Sequence, residues 1–246
     1  GLKGALQMAE ALRQVNPNVI LVAGGPAVRY VGTEFFSRTK VFNWIVTGEG
    51  EAAILALARG ATDSVPGAAT CQNGNVIEFS SKDTQLETLP FPLYSKQIYP
   101  NIDEFLPVRI IDDSRGCFNK CSFCAHPFLN GVTRKKSPKA VVDEMESLLL
   151  KNEISHFRLA GSNPPWLFLL RIAEEILRRG LSVQYSAFAS LNNVRSEDIP
   201  LLAKSGLRGL FFGIESADPV YLKKIHNKKN HSPDIMIQTI QNAMVH

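Results

Sequence analysis

Histidine is missing from the chain until His126, and a single cysteine, Cys71, precedes residue 117. No apolar run approaches the ~20 residues that a membrane-spanning helix needs, and no secretory signal pattern opens the chain. No membrane association is therefore expected. Neither sign of charge dominates: the net charge is +4 over 246 residues. The basic pieces, Arg134-Lys135-Lys136 and Lys223 to Lys229, are short. They read as solvated surface, and no nucleic-acid partner is expected. Four cysteines, three of them clustered, do not make a secreted disulfide framework, so the expected compartment is cytoplasmic.

What is present suffices for a folded protein. Hydrophobic residues make up 45% of the chain, enough for a sizeable core in one large α/β domain or two smaller ones. Gly1 leads into an amphipathic helix already under way, Leu2 to Val15, and the chain ends at His246 in the middle of another helical pattern. A piece of a longer protein is expected from both ends.

Three regions follow. In residues 1–62, the apolar runs Val19 to Ala23 and Trp44 to Val46 read as buried parallel strands. Gly24-Gly25-Pro26 and Thr47-Gly48-Glu49-Gly50-Glu51 turn the chain at their carboxyl ends, and a helix runs from Ala52 to Arg59. This is half of a doubly wound sheet. Residues 63–107 hold a hairpin, Ala68 to Gln72 and Val76 to Phe79 around Asn73-Gly74, and then an extended linker. In residues 108–246, strands at Val108 to Ile111, His156 to Ala160, Val183 to Ala189 and Leu207 to Ile214 alternate with helices. The helices are Lys139 to Lys151 behind Ser137-Pro138, Pro164 to Arg179, Ser196 to Ser205, Pro219 to His226 and Pro233 to Val245. Four strand–helix units in series predict a partial (β/α) barrel, with a doubly wound open sheet as the alternative.

The chemistry concentrates in SRGCFNKCSFCAH, residues 114–126. Thiolates bind soft or borderline metals. A structural zinc site needs a fourth ligand; Cys71 is far upstream and His126 very close to Cys124. An iron–sulfur cluster can use the same thiolates, and three cysteines leave one iron of a 4Fe-4S cube open to a substrate. Ser114, Arg115, Asn119 and Lys120 make the loop too polar to be core.

CFNKCSFC, with an aromatic before its last cysteine, resembles the CxxxCxxC signature of the radical S-adenosylmethionine superfamily. The approach IIDDSRGC also resembles that family's first strand and loop. The resemblance implies that Cys117, Cys121 and Cys124 hold a 4Fe-4S cluster whose free iron takes S-adenosylmethionine. One electron then cleaves the sulfonium to a 5′-deoxyadenosyl radical, which abstracts a substrate hydrogen. Phe123 would sit beside the adenine. Glu215, in Gly213-Ile214-Glu215-Ser216, is similar to a family position that contacts the methionine or ribose end. Ser162 and Asn163, after Gly161, fall where relatives approach the methionine amino group, although the turn departs from the commoner Gly-Gly-Glu form. Ser186 and Ser190 frame the third strand, and Arg115 and His126 are further candidates in the loop.

VILVAGGPAV followed by WIVTGEGEAAILALA is similar to the last part of the Rossmann-like cobalamin-binding domain that precedes many such barrels. That likeness implies cobalamin as a further cofactor, with Gly24, Gly25, Gly48 and Glu49 at the strand ends near it. The early histidine that ligates cobalt in some of these domains is not in this sequence. The resemblance implies an enzyme that methylates or rearranges an unactivated small-molecule or peptide substrate, supplied with electrons by a flavodoxin or ferredoxin. A methylthiotransferase-like enzyme and a zinc-stabilised binding module are the alternatives; no catalytic residue can be named.

Overall fold

The computed structural model describes residues 2–80, 83–101, 108–224, 227 and 233–244. Residues 102–107 of the expected linker, His226 and Val245 at the ends of two expected helices, and Lys228 and Lys229 lie outside the described residues. The chain forms two compact units, Gly1–Gln85 and Leu86–His246.

The first unit runs α1 (Leu2–Val15), β1 (Val22–Ala23), α2 (Pro26–Val31), a 3₁₀ turn at Gly32–Glu34, α3 (Phe35–Arg38), β2 (Trp44–Val46), α4 (Gly50–Ala58), β3 (Ala68–Gln72) and β4 (Asn75–Glu78). β1 and β2 are parallel, with Val22 opposite Trp44. β2 is apolar throughout because both its faces are covered. Ile45 packs with Ala23, Val28, Phe35 and Phe36, while Trp44 and Val46 pack with Ala53, Val65 and Ala68. The hairpin turns at Asn73 and Gly74, both with positive φ (50° and 81°), the pattern of a type I′ turn. It joins the sheet: β3 pairs antiparallel with β2 and β4 with β3, giving the order β1-β2-β3-β4. Strand β1 is shorter than the apolar run from Val19 suggests, and α2 and α3 fill a stretch read as turn and loop. Helices this short hold too few residues for a 3.6-residue period to show.

The second unit runs β5 (Val108–Ile111), β6 (Ser114–Arg115), α5 (His126–Asn130), β7 (Arg134–Lys135), α6 (Pro138–Asn152), β8 (His156–Leu159), α7 (Trp166–Arg179), β9 (Gln184–Ala189), α8 (Ile199–Lys204), β10 (Leu207–Phe212), α9 (Pro219–Lys224) and α10 (Pro233–Met244). All pairings among β5, β8, β9 and β10 are parallel, and their spatial order follows the sequence. Ile111, Phe157, Leu159, Tyr185, Ala187 and Ala189 point to one face and form a core with Val141, Met145, Leu169, Ile172 and Ile176 of α6 and α7. A doubly wound sheet reverses its strand order and carries helices on both faces. Sequential order with α6 and α7 on one face makes this a partial (β/α) barrel. The opposite, lumen face carries Val108, Ile110, His156, Arg158, Ser186, Phe188, Gly209 and Phe211, none of them fully buried.

Ser137 caps α6 by accepting a hydrogen bond from Ala140 N at 3.1 Å, as its sequence position suggests. The basic triplet is not all surface. Lys136 is 4% exposed, and its Nζ meets Glu144 Oε2 of α6 at 2.8 Å. Nothing in a three-residue basic run signals that one member turns inward to a carboxylate on the following helix.

Candidate active site

Just beyond Ile111, the chain is held by a buried carboxylate. Asp113 is fully buried. Its Oδ1 accepts from Gly161 N at 2.7 Å and its Oδ2 from Ser114 Oγ at 2.8 Å. Burial pushes its pKa up to about 6, against those hydrogen bonds. One side chain thereby ties the end of β5 to the turn after β8. A Cβ on Gly161 would collide with Ser114 Oγ and lie 2.7 Å from Asp113 Oδ2, so the close approach requires glycine.

The cysteine loop then leaves through a narrow neck. β6 and β7 pair antiparallel, Ser114 with Lys135 and Arg115 with Arg134. Arg115 Nη2 reaches Asp112 Oδ2 at 2.6 Å. Gly116, with φ of 80°, has the Val132 carbonyl where a Cβ would stand, and Cys117 N donates to Gly131 O at 3.3 Å. Neck and turn bring the loop back across the ends of β8, β9 and β10. Ser162 Oγ donates to Gly116 O at 3.3 Å, and Asn163 Nδ2 lies 4.0 Å from Cys117 Sγ.

An open cavity of about 210 Å³ results. Cys117, Cys121, Cys124, Phe123, Asn119 and His126 line it from the loop, and Ser162, Asn163, Ser190, Phe188, Phe211 and Glu215 from the strand ends. The three cysteines are half-buried and form no disulfide. Ser186 is not among the lining residues; it sits one layer deeper on β9, on the same face as Phe188.

Two buried polar atoms of the lining have no partner among the described residues, Asn163 Oδ1 and His126 Nε2. Asn130 Nδ2 lies 3.1 Å from His126 Nδ1; with the amide as donor, the imidazole proton falls on Nε2. Unpartnered buried polar atoms are costly, and these two border the thiols. Glu215 has a positive φ of 64°, and Ser216 N donates to Ile214 O at 2.8 Å around it. A γ-turn with a non-glycine residue at positive φ is rare and strained. β10 itself ends at Phe212 rather than Ile214, before this turn begins.

The donor set fits an iron–sulfur cluster. Three thiols line one cavity beside polar atoms lacking partners, and in a cube each thiolate binds its own iron. Among the described residues, no three His, Cys, Asp or Glu side chains gather closely enough to hold a single metal ion. Sequence reasoning assigned no role to Asp113, Phe188 or Phe211. Only Asp113 left a trace in the sequence, as a carboxylate directly after an apolar strand.

In the first unit, the predicted turns lie side by side at the carboxyl ends of β1 and β2. Gly24 and Gly25 are exposed, and a Cβ on Gly24 would touch Val46 Cβ at 3.5 Å. Gly48 N donates to Gly67 O at 3.0 Å, and Glu49 Oε2 accepts from Thr84 N at 2.7 Å. These four residues are therefore near one another, with the Gly48 amide and the Glu49 carboxylate engaged by their own unit. Cys71 is exposed in β3.

A partial (β/α) barrel with a three-cysteine loop over its strand ends defines a class, and comparison with known proteins agrees. The model of the Radical SAM superfamily matches residues 111–245, more than half of the chain, and the chain belongs to that superfamily. Among curated relatives, an anaerobic magnesium-protoporphyrin IX monomethyl ester cyclase of Rubrivivax gelatinosus is 26% identical over 88% of this chain and 42% of its own length. An uncharacterized methyltransferase of Pyrococcus horikoshii is 25% identical over 97% of this chain and 54% of its own length. The chain thus spans about half the length of the curated relatives it matches. Among solved structures, the cobalamin-dependent S-adenosylmethionine radical enzyme OxsB, with aqua-cobalamin and S-adenosylmethionine bound, superposes with a TM-score of 0.81 at 20% identity. That match covers 98% of this chain and 37% of OxsB. No helix among the described residues is long and apolar enough to cross a membrane.

Proposed function

We propose that the protein is a cytoplasmic radical S-adenosylmethionine enzyme, cobalamin-associated, that methylates or rearranges an unactivated small-molecule or peptide substrate. A flavodoxin or ferredoxin would supply its electrons. The observation that carries this reading is the convergence of Cys117, Cys121 and Cys124 with Ser162, Asn163, Ser190 and Glu215 on one cavity at the strand ends. The names of the relatives and of OxsB support the methyl-transfer and cobalamin parts.

In this reading the three cysteines hold a 4Fe-4S cluster. When bound, that cluster supplies the single electron that cleaves S-adenosylmethionine reductively to the radical that takes a substrate hydrogen. The chain's own residues do the positioning. Asp113 fixes the loop's departure against the β8 turn. Asn163 and His126 offer buried polar atoms to the cofactors. Phe123, 48% exposed, presents a ring to the adenine, and Glu215 projects a carboxylate from its strained turn toward the ribose or methionine end. Phe188 and Phe211 supply an apolar wall that keeps water from a reactive intermediate. In the first unit, Gly24, Gly25, Gly48 and Glu49 flank the cobalamin.

Anaerobic reconstitution tests the reading. The expected product carries roughly four irons per chain, with an electron paramagnetic resonance signal that changes on adding S-adenosylmethionine. Reductant then yields 5′-deoxyadenosine. Tight stoichiometric zinc with no iron spectrum would sink it in favour of a binding module. Titrating the full-length protein with cobalamin, followed by its visible spectrum, tests the first unit separately.

A further inference from the structure

Deeper in the lumen, below the cavity, stands an arginine without a counter-charge among the described residues. Arg158 projects from β8 on the face opposite Phe157 and Leu159, which are buried in the core. Its guanidinium carbon lies 5.1 Å from the ring centre of Phe188 and 4.7 Å from that of Phe211. Those two rings are 5.4 Å apart and line the cavity beside the cysteines. Among the described residues, Arg158 makes no hydrogen bond and no ion pair.

An arginine carries five N–H donors in a rigid fork. Aromatic faces hold such a group by its flat sides and leave its edge donors unused. The surrounding register gives Arg158 neighbours of little bulk and no negative charge. Arg158 pairs with Ile110 on β5 and with Ser186 on β9, and Ser186 pairs with Gly209 on β10. That layer therefore reads Ile110, Arg158, Ser186, Gly209. It contains one hydroxyl, that of Ser186 on the neighbouring strand, and, at Gly209, no side chain. It contains no carboxylate. Asp112, at the end of β5, is already paired with Arg115. A cation held against two rings that line the cavity, with a hydroxyl on the neighbouring strand, has the makings of an anion site.

We propose that Arg158, assisted by Ser186, binds an anionic group of the acceptor substrate, a carboxylate or phosphate, and so sets the depth at which that substrate sits below the cysteine loop. This rests on the proposed reading of the cavity above. A ligand so held extends from the Arg158 layer past Phe188 and Phe211 toward the cysteines. The substrate class is thus an acid whose reacting carbon lies beyond its charged end. The α-carboxylate of S-adenosylmethionine shares the same chemistry, so the test must separate the two.

The probes are benzoate and its neutral counterpart benzamide, titrated by saturation-transfer NMR against the full-length protein with and without its cluster. S-adenosylmethionine is titrated in parallel by equilibrium dialysis. The wild type is expected to prefer benzoate. Arg158→Gln should weaken benzoate about tenfold, leave benzamide unchanged and alter the affinity for S-adenosylmethionine by less than about twofold. Arg158→Lys keeps the charge without the fork. It should retain part of the benzoate preference, and it serves as the reading if Arg158→Gln does not fold. Equal benzoate affinity in wild type and Arg158→Gln overturns the proposal, as does a lack of benzoate binding. A tenfold loss of S-adenosylmethionine with benzoate unaffected also overturns it, and assigns Arg158 to the cofactor. A protein that loads no iron instead overturns the reading of the cavity, which the iron content reports on its own.

Discussion

Both units place turns at the carboxyl ends of parallel strands, yet they differ in what those turns leave unfinished. In the first unit the turn polar groups are consumed internally: Gly48 N by Gly67 O and Glu49 by Thr84 N. In the second, Asn163 Oδ1 and His126 Nε2 are buried without partners at the cavity, and so are Thr133 Oγ1, Glu144 Oε1 and Asn192 Oδ1 elsewhere. Every such atom among the described residues belongs to the second unit. Burying a polar group unpaired costs about 1–3 kcal/mol, so a fold tolerates a cluster of them where something else completes the set. By this measure the cavity beside the cysteine loop leaves two polar atoms that a bound group could complete, whereas the Gly48 amide and the Glu49 carboxylate are already engaged.

The comparison breaks most visibly at the thiols. Replacing Cys117, Cys121 and Cys124 together by alanine should abolish iron loading and all cleavage of S-adenosylmethionine. The loop's neck and α6 should stay folded, because the core of this unit is made of strand and helix side chains that include none of these cysteines. Iron analysis with far-ultraviolet circular dichroism reads both. Unfolding of the triple variant would mean that the cysteines are structural and the comparison misplaced.

The next largest effect belongs to the buried ion pair beneath the neck. Glu144 is fully buried, and burial raises its pKa despite Lys136. Glu144→Ala leaves the Lys136 ammonium buried without a counter-charge, which costs about 3–5 kcal/mol. Urea unfolding should show that loss in the second unit. Iron loading should fall with it, since Lys136 N also donates to Asp113 O at 2.9 Å and so links α6 to the loop's base.

How far the sequence foretold this contrast follows from the length scale of each signal. The cysteine spacing, the Asn73-Gly74 turn and the Ser137 cap are local patterns, and each reads directly. The barrel-type sheet was legible because its strand–helix units repeat with short connections. The β6–β7 neck was not, because a two-residue ladder has no periodicity. Lys136 misled for the same reason that Asp113 went unassigned: their partners, Glu144 and the Gly161 amide, lie on later elements that the neighbouring residues do not announce. Arg158 reads as any strand arginine until the fold sets it against the Phe188 and Phe211 rings.

Asp113 offers a pH test of roughly 2–3 kcal/mol. Its folded pKa of about 6 lies above the ordinary 3.8. The native state therefore binds the proton more tightly than the unfolded chain. Its contribution is present at low pH and is lost as pH rises between about 4 and 6, with each tenfold difference in proton affinity worth about 1.4 kcal/mol. Asp113→Asn removes that titration. Subtracting its unfolding free energy from the wild type's between about pH 4 and 7 should give a curve falling with pH by that amount. A flat difference would mean that Asp113 stays ionised and that the loop's base is more open to water than its geometry indicates.

The smallest expected effect sharpens the comparison from the other side. Glu49 accepts from Thr84 N in the first unit, and Glu49→Ala breaks that hydrogen bond at a partly solvated position. The loss should be about 1 kcal/mol, confined to unfolding of the first unit, with iron loading of the second unchanged. Cobalamin affinity is the informative readout. A tenfold drop in affinity with stability unaltered would show that the carboxylate faces the ligand and that the first unit's turns are as unfinished as the second's. A change in stability alone keeps Glu49 a structural clasp, and leaves Gly24 and Gly25, exposed and with no atom within 4 Å of a Cβ at Gly25, as the backbone that a cofactor could approach.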